Sequence, residues 1–304
     1  MRIFPRLLDL VLPAAALGLA IFWLTTRTHL GPGIWVAVIA YAISHLLRVS
    51  RLVMFFIFEK PSLANVSATH AWSTWLSAVA PFKLGELTRA WAIMRLARKP
   101  AAGLAAYASE KVLDASVLLL AILALTSSGY SDAAIGLLAA VLLTVLLFAL
   151  AAYLTSRATS TELRQLILVG SSSVRGLHAL TLLNTFEAAF SAFRQMMGGR
   201  VLLLLLVTIG IWILDFTAFY LIAMNVDPAP GQLAGFIDMF ESVLLQSAFS
   251  PWHAGYWNVV TLTLATATIP SSIYCLYSSL ARRRSRQTSY RIEHRQKRYS
   301  GEQA

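Results

Sequence analysis

From Val201 to Met224 the chain carries one charged residue, Asp215, in an otherwise apolar run. An α-helix needs about 20 such residues to cross the hydrocarbon core of a bilayer. Comparable runs lie at about 7–24, 34–58, 105–126, 133–154 and 257–280. Water cannot satisfy a backbone inside lipid, so each run must close its own hydrogen bonds as a helix. The sequence therefore reads as an all-α polytopic membrane protein with about six transmembrane helices. Composition agrees, because the 304 residues are 58% hydrophobic and only 13% charged. Soluble domains carry about 25% charged residues. An ordinary soluble enzyme, a disordered chain and a nucleic-acid-binding domain are excluded on this ground.

The basic residues set the orientation, since Lys and Arg collect in cytoplasmic loops. With the N-terminus cytoplasmic, the stretches 59–99 and 155–200 and the C-terminal tail face inward and hold most of the Lys and Arg. The outward stretches 127–132 and 225–234 hold none. Eight of the 25 Lys and Arg lie between Arg282 and Arg298. This tail accounts for much of the net charge of +11, and its expected partner is the anionic face of the inner leaflet rather than nucleic acid. The chain thus divides into a membrane domain, 1–281, and a basic cytoplasmic tail, 282–304. The N-terminal run has no clear small-residue cleavage site and is expected to stay attached. Cys275, the lone cysteine, forms no intramolecular disulfide and is read as a small apolar filler.

Two apolar stretches are too short to span. Residues 71–82 have cytoplasmic charge at both ends, so they should enter and leave on one side; residues 235–250, stopped by Pro251, should do the same from outside. The expectation is two re-entrant segments related as an inverted repeat, an arrangement that places substrate sites near the midplane at broken helices. The polar middle, 155–200, reads as loops plus an interfacial amphipathic helix near 178–197.

Ionisable groups at membrane depth are costly and mark function or pairing. They cluster here. In Pro81-Phe-Lys-Leu-Gly-Glu-Leu-Thr-Arg89, Glu86 and Arg89 are three apart and placed to pair on one helical face. In Ser109-Glu-Lys-Val-Leu-Asp114, Glu110 and Asp114 share a face and require a cation opposite, which Lys83, Arg89 or Arg51 can supply, while Lys111 points about 100° away. A headgroup path and a structural salt-bridge network both fit this pattern. Asp215 lies mid-span, and Glu241 lies in the second short stretch with His253 beyond it, beside Trp252, Tyr256 and Trp257. His253 is placed as a proton or headgroup site or as part of an aromatic interface belt. No nucleotide loop, nucleophile elbow, dinucleotide fingerprint or metal-spaced Cys/His set occurs. No catalytic residue, cofactor or metal is expected.

The stretch Pro81–Arg89, followed by Glu110-Lys-Val-Leu-Asp114, resembles the lysylphosphatidylglycerol synthase transmembrane region, also called the flippase-like domain family. That family shows Pro-x-x-Leu-Gly-Glu-x-x-Arg and then Glu-Arg-x-x-Asp at similar spacing; Lys111 stands where Arg is usual. The match covers about residues 75–120. The family's second-half loop, Pro-x-x-Gly-Gly-x-Gly-x-x-Glu, corresponds to Pro251-Trp-His-Ala-Gly255-Tyr-Trp-Asn258, which keeps one Gly and lacks the Glu. The resemblance implies a lipid-handling membrane domain without the aminoacyl transferase of the best-known members.

The functional expectation is a flippase or translocase of a phospholipid or lipid-linked envelope precursor in the bacterial inner membrane. Glu86, Arg89, Glu110, Lys111 and Asp114 would line the cytoplasmic half of the path, with Lys83 supplying a further cation, and Asp215 and Glu241 would serve the outer half. Two other classes fit: an accessory scaffold for envelope-lipid enzymes, and a membrane-embedded lipid-linked transferase with its carboxylates as base or Mg²⁺ ligands. A homo-oligomer or an envelope-biosynthesis partner is compatible with each.

Overall fold

The computed structural model describes residues 32–57, 59, 62–79, 84–127, 133–170 and 174–226. All regular structure there is helical, in seven helices: α1 (Pro32–Phe55), α2 (Leu63–Val79), α3 (Leu84–Leu96), α4 (Pro100–Ser127), α5 (Ala133–Gly170), α6 (Val174–Met197) and α7 (Val201–Val226). The first and last expected spans, the second re-entrant stretch, the tail, Cys275, Lys83, Glu241 and His253 lie outside the described residues.

Helix boundaries follow local chemistry. Pro32 and Pro100 open α1 and α4, where a missing N–H costs nothing and the fixed φ suits a helix. α3 carries Glu86 in its first turn and Arg95 in its last, each complementing the helix dipole. Between α6 and α7, Gly199 takes a φ of +71°, a left-handed conformation that a Cβ would strain. The turn between the two helices spans three residues, 198–200.

Among the described residues, three helices are long and apolar enough to cross a membrane: α1, α5 and α7, over Trp35–Phe55, Ile135–Thr155 and Val201–Leu221. The protein is membrane-embedded on this basis. α4 has the length, at 28 residues, but Glu110, Lys111 and Asp114 interrupt its apolar character, so it depends on neighbours to neutralise them. α2 and α3, 17 and 13 residues long, pack against each other as a short helical pair.

Two expectations change. The short apolar stretch does not start its helix at 71, because α2 already begins at Leu63. The backbone N–H groups of Asn65 and Val66 donate to the Ser62 carbonyl at 2.9 and 3.1 Å, which starts the helix upstream of the apolar run. The polar stretch after 154 is not a loop. α5 continues for 38 residues to Gly170, about 57 Å at 1.5 Å per residue. No Gly or Pro lies between Gly136 and Gly170, so nothing breaks the helix, although its sequence turns polar. The amphipathic helix expected near 178–197 is present as α6.

α1 and α7 run antiparallel in extensive contact, and α4 packs on both α3 and α6. One apolar cluster joins α1, α2, α3, α4, α6 and α7 around Leu52, Phe56, Val66, Ile93, Leu113 and Leu204. A second, around Ala37, Tyr41, Ala218 and Phe219, closes the other end of the α1–α7 pair. The polar core lies between them.

Candidate functional site

On α1, Ser44, Arg48 and Arg51 recur at i, i+4 and i+7. On α7, Thr208, Trp212 and Asp215 do the same. This spacing puts each set on one helical face, and the antiparallel packing brings the two faces together. Glu110 and Asp114 on α4 form the third wall, and Arg89 on α3 completes the set.

Arg51 is the hub. Its guanidinium donates to Asp114 through two nitrogens, at 2.7 and 3.3 Å, and to the Thr208 hydroxyl at 3.0 Å. It also lies 3.3 Å from Glu110. Arg89 grips Glu110 from the other side: Nε and Nη2 donate to Oε1 at 3.0 and 2.7 Å, while Nη1 donates to Ser73 Oγ at 3.1 Å. Asp114 also accepts from Trp212 Nε1 at 3.4 Å. One turn along α1, Arg48 pairs with Asp215, which accepts a further bond from Ser44. Arg51 is 2% exposed, Glu110 4% and Asp215 1%.

Three arginines thus face three carboxylates, and the set is formally neutral. Isolated charges in such a place would cost several kcal/mol each, so pairing is a condition of folding. Apolar clusters at both ends shield the pairs from water, which strengthens each interaction.

Beside this set lies a buried histidine pair. His45 Nδ1 and His70 Nε2 are 3.0 Å apart, so one ring donates and the other accepts. Tyr41 packs edge-on against His45, with ring centroids 4.7 Å apart. Ser73 Oγ donates to the His70 carbonyl at 3.1 Å, which links the pair to Arg89. The other ring nitrogens, His45 Nε2 and His70 Nδ1, have no hydrogen-bond partner among the described residues, nor do Arg48 Nε and the Ser109 hydroxyl. Buried polar atoms are normally satisfied, so unused capacity is concentrated around the charged core.

Glu86 and Lys111 form a separate, half-exposed pair at 2.6 Å. The Tyr107 hydroxyl donates to Glu86 at 3.1 Å. The expected pairing of Glu86 with Arg89 within α3 is therefore replaced by two cross-helix pairs, Glu86 with Lys111 and Arg89 with Glu110. The reason is the approach of α3 to α4 at Gly103, where a Cβ would fall 2.4 Å from the Met94 Cα. With the backbones this close, partners on the facing helix are nearer than those along the same one.

Of the residues singled out in the sequence, Glu86, Arg89, Glu110, Lys111, Asp114 and Asp215 are described, and all gather around α3, α4 and α7. Asp215 pairs with Arg48, one turn along α1 from Arg51. Sequence reasoning assigned no role to Ser44, His45, Arg48, His70, Ser73, Thr208 or Trp212. The 3.6-residue recurrence of polar residues on α1 and α7 was the available signal. No protein family, characterised protein or solved structure matches this chain.

Proposed function

We propose that the chain moves the polar headgroup of a phospholipid or lipid-linked envelope precursor across the bilayer, with the charged core as the headgroup station. The supporting observation is the neutral set of three arginines and three carboxylates between two apolar clusters, with Arg51, Arg89, Glu110 and Asp215 buried, Arg48 and Asp114 partly buried, and polar atoms beside them that have no partner among the described residues. A headgroup phosphate offers the same planar two-oxygen target to a guanidinium that a carboxylate does. Arg89 exchanges Glu110 for phosphate, and Arg51 keeps Glu110 neutralised during the exchange. The acyl chains stay in lipid. The Pro81–Arg89 and Glu110–Asp114 motifs, which resemble the flippase-like family, point the same way. The reading places the chain in a bacterial inner membrane with both termini inside, six spans and an inverted repeat.

The test is headgroup accessibility in proteoliposomes. Fluorescent-headgroup lipids of several classes should become accessible to dithionite faster than in empty vesicles, and Arg89→Lys should remove the acceleration. No acceleration for any lipid would sink the proposal.

A second reading draws on a different observation. Glu110, Asp114 and Asp215 all find partners within the chain itself. A self-contained network suits an accessory scaffold for envelope-lipid enzymes. Copurification with a lipid-modifying partner, without transport by the chain alone, selects it.

A further inference from the structure

A groove of about 870 Å³ runs between α5 and α6 and shares no lining residue with the charged core. Its size falls in the range of sites that enclose small amphiphiles. Phe148, Phe186 and Phe190 give it apolar walls, while Thr155, Thr159 and Arg194 give it polar ones.

Charge identifies the kind of ligand. Two arginines line the groove. Arg164 is already taken, by Glu187 at 2.7 Å and Asn184 at 2.9 Å. Arg194 forms no ion pair among the described residues, so the groove carries one uncompensated positive charge. Position identifies the surroundings. The apolar span of α5 ends at Thr155, which itself lines the groove, so the groove opens where lipid gives way to headgroups. Phe148 is 77% exposed and Phe186 57%, so these rings have contact surface to offer. A soluble anion would leave the aromatic wall unused, and a zwitterionic lipid would leave Arg194 without a net counter-charge.

We infer that the groove seats one anionic phospholipid, with its phosphate on Arg194, its glycerol region at the Thr155 and Thr159 hydroxyls, and an acyl chain along Phe148. This site is separate from the transport path proposed above. It holds a resident lipid that fixes the α5–α6 hairpin at the membrane surface.

The experiment is native mass spectrometry of the full chain in detergent, titrated with phosphatidylglycerol or phosphatidylcholine of identical acyl chains. The wild type should retain phosphatidylglycerol preferentially. Arg194→Gln should lower that retention about tenfold, the effect of one charge-assisted bond, and leave phosphatidylcholine unchanged. Phe148→Ser should weaken both lipids. Arg194→Lys keeps the charge at the end of α6 and so protects the fold; it should preserve the preference while weakening it several-fold, because the forked contact is lost. Equal retention of the two lipids by the wild type overturns the inference. So does an Arg194→Gln chain that melts lower but keeps its preference, since Arg194 then only complements the helix end. Displacement by glycerol phosphate as effectively as by lipid would show a phosphate site rather than a lipid site.

Discussion

α5 and the α1–α4–α7 group are built from similar apolar sequence, yet they pack in opposite ways. In the most apolar window of α5 only 6% of residues are buried, against 39% in α1 and 28% in α7. Leu137, Val141, Leu147 and Phe148 of α5 all face outward. The difference lies in charge. The span Ile135–Thr155 has no charged residue, whereas α1, α4 and α7 each carry at least one that must find a partner. Among lipid tails, apolar area gives two helices no reason to meet, and close packing and polar contacts take over that role. The buried pairs therefore select which helices assemble, and the helix whose span is uncharged is left at the periphery.

The largest way to break this contrast is Glu110→Gln. It keeps size and shape but leaves Arg89 without its carboxylate partner and Arg51 with Asp114 alone. Loss of one partner in a buried pair costs about 3–5 kcal/mol. Denaturation in mixed micelles should show a fall of this size. A loss under about 1 kcal/mol would mean that the core is wet, and that packing alone separates the two regions.

Gly103→Ala attacks the same region without touching a charge. The new Cβ would meet backbone atoms of Ile93 and Met94 at 2.8 and 2.4 Å, and backbone cannot move aside as a side chain can. Overpacking of this kind costs about 1–3 kcal/mol. Separating α3 from α4 also withdraws Arg89 from Glu110. Thermal unfolding should drop, and transport, where measured, should fall with it. An unchanged melting temperature would show that the close approach is not needed.

Much of this core was legible before any coordinates. The i, i+4 carboxylates Glu110 and Asp114 required a cation, and both Arg51 and Arg89 were named as sources. Partner choice was not legible, because it depends on backbone approach at Gly103, which no spacing rule within one helix reports. His70 was missed because it precedes the apolar stretch 71–82, and the helix was sought only where the sequence is apolar. The same habit shortened α5, where the absence of Gly and Pro was a better guide than polarity. In both cases hydrophobicity was used to find helices, yet it reports only where lipid contact begins.

Asp215→Asn should cost less than the changes at Glu110. Asn keeps a hydrogen bond to Ser44, and the Arg48 side chain retains 24% of its surface exposed, so its unpaired charge can recover some solvation. The expected loss is about 2 kcal/mol. A double variant with Arg48→Gln should recover part of it, because both charges are then gone. A cycle showing no coupling between the two positions would remove Asp215 from the network.

Arg164→Ala is the smallest effect and the sharpest control on the comparison. Arg164 bonds Glu187 and Asn184 across the α5–α6 hairpin, with geometry as good as that of Arg89 on Glu110: 2.7 Å in both cases. Distance alone would rank the two pairs equal. Exposure does not, because the side chains of Arg164 and Glu187 keep 45% and 34% of their surfaces, whereas those of Arg89 and Glu110 keep 8% and 5%. Water competes for the exposed pair and salt screens it, so its removal should cost less than about 1 kcal/mol, and less still at high ionic strength. A loss matching that of Glu110→Gln would mean that the hairpin is as dry as the core. The peripheral position of α5 would then need a cause other than the absence of charge in its span.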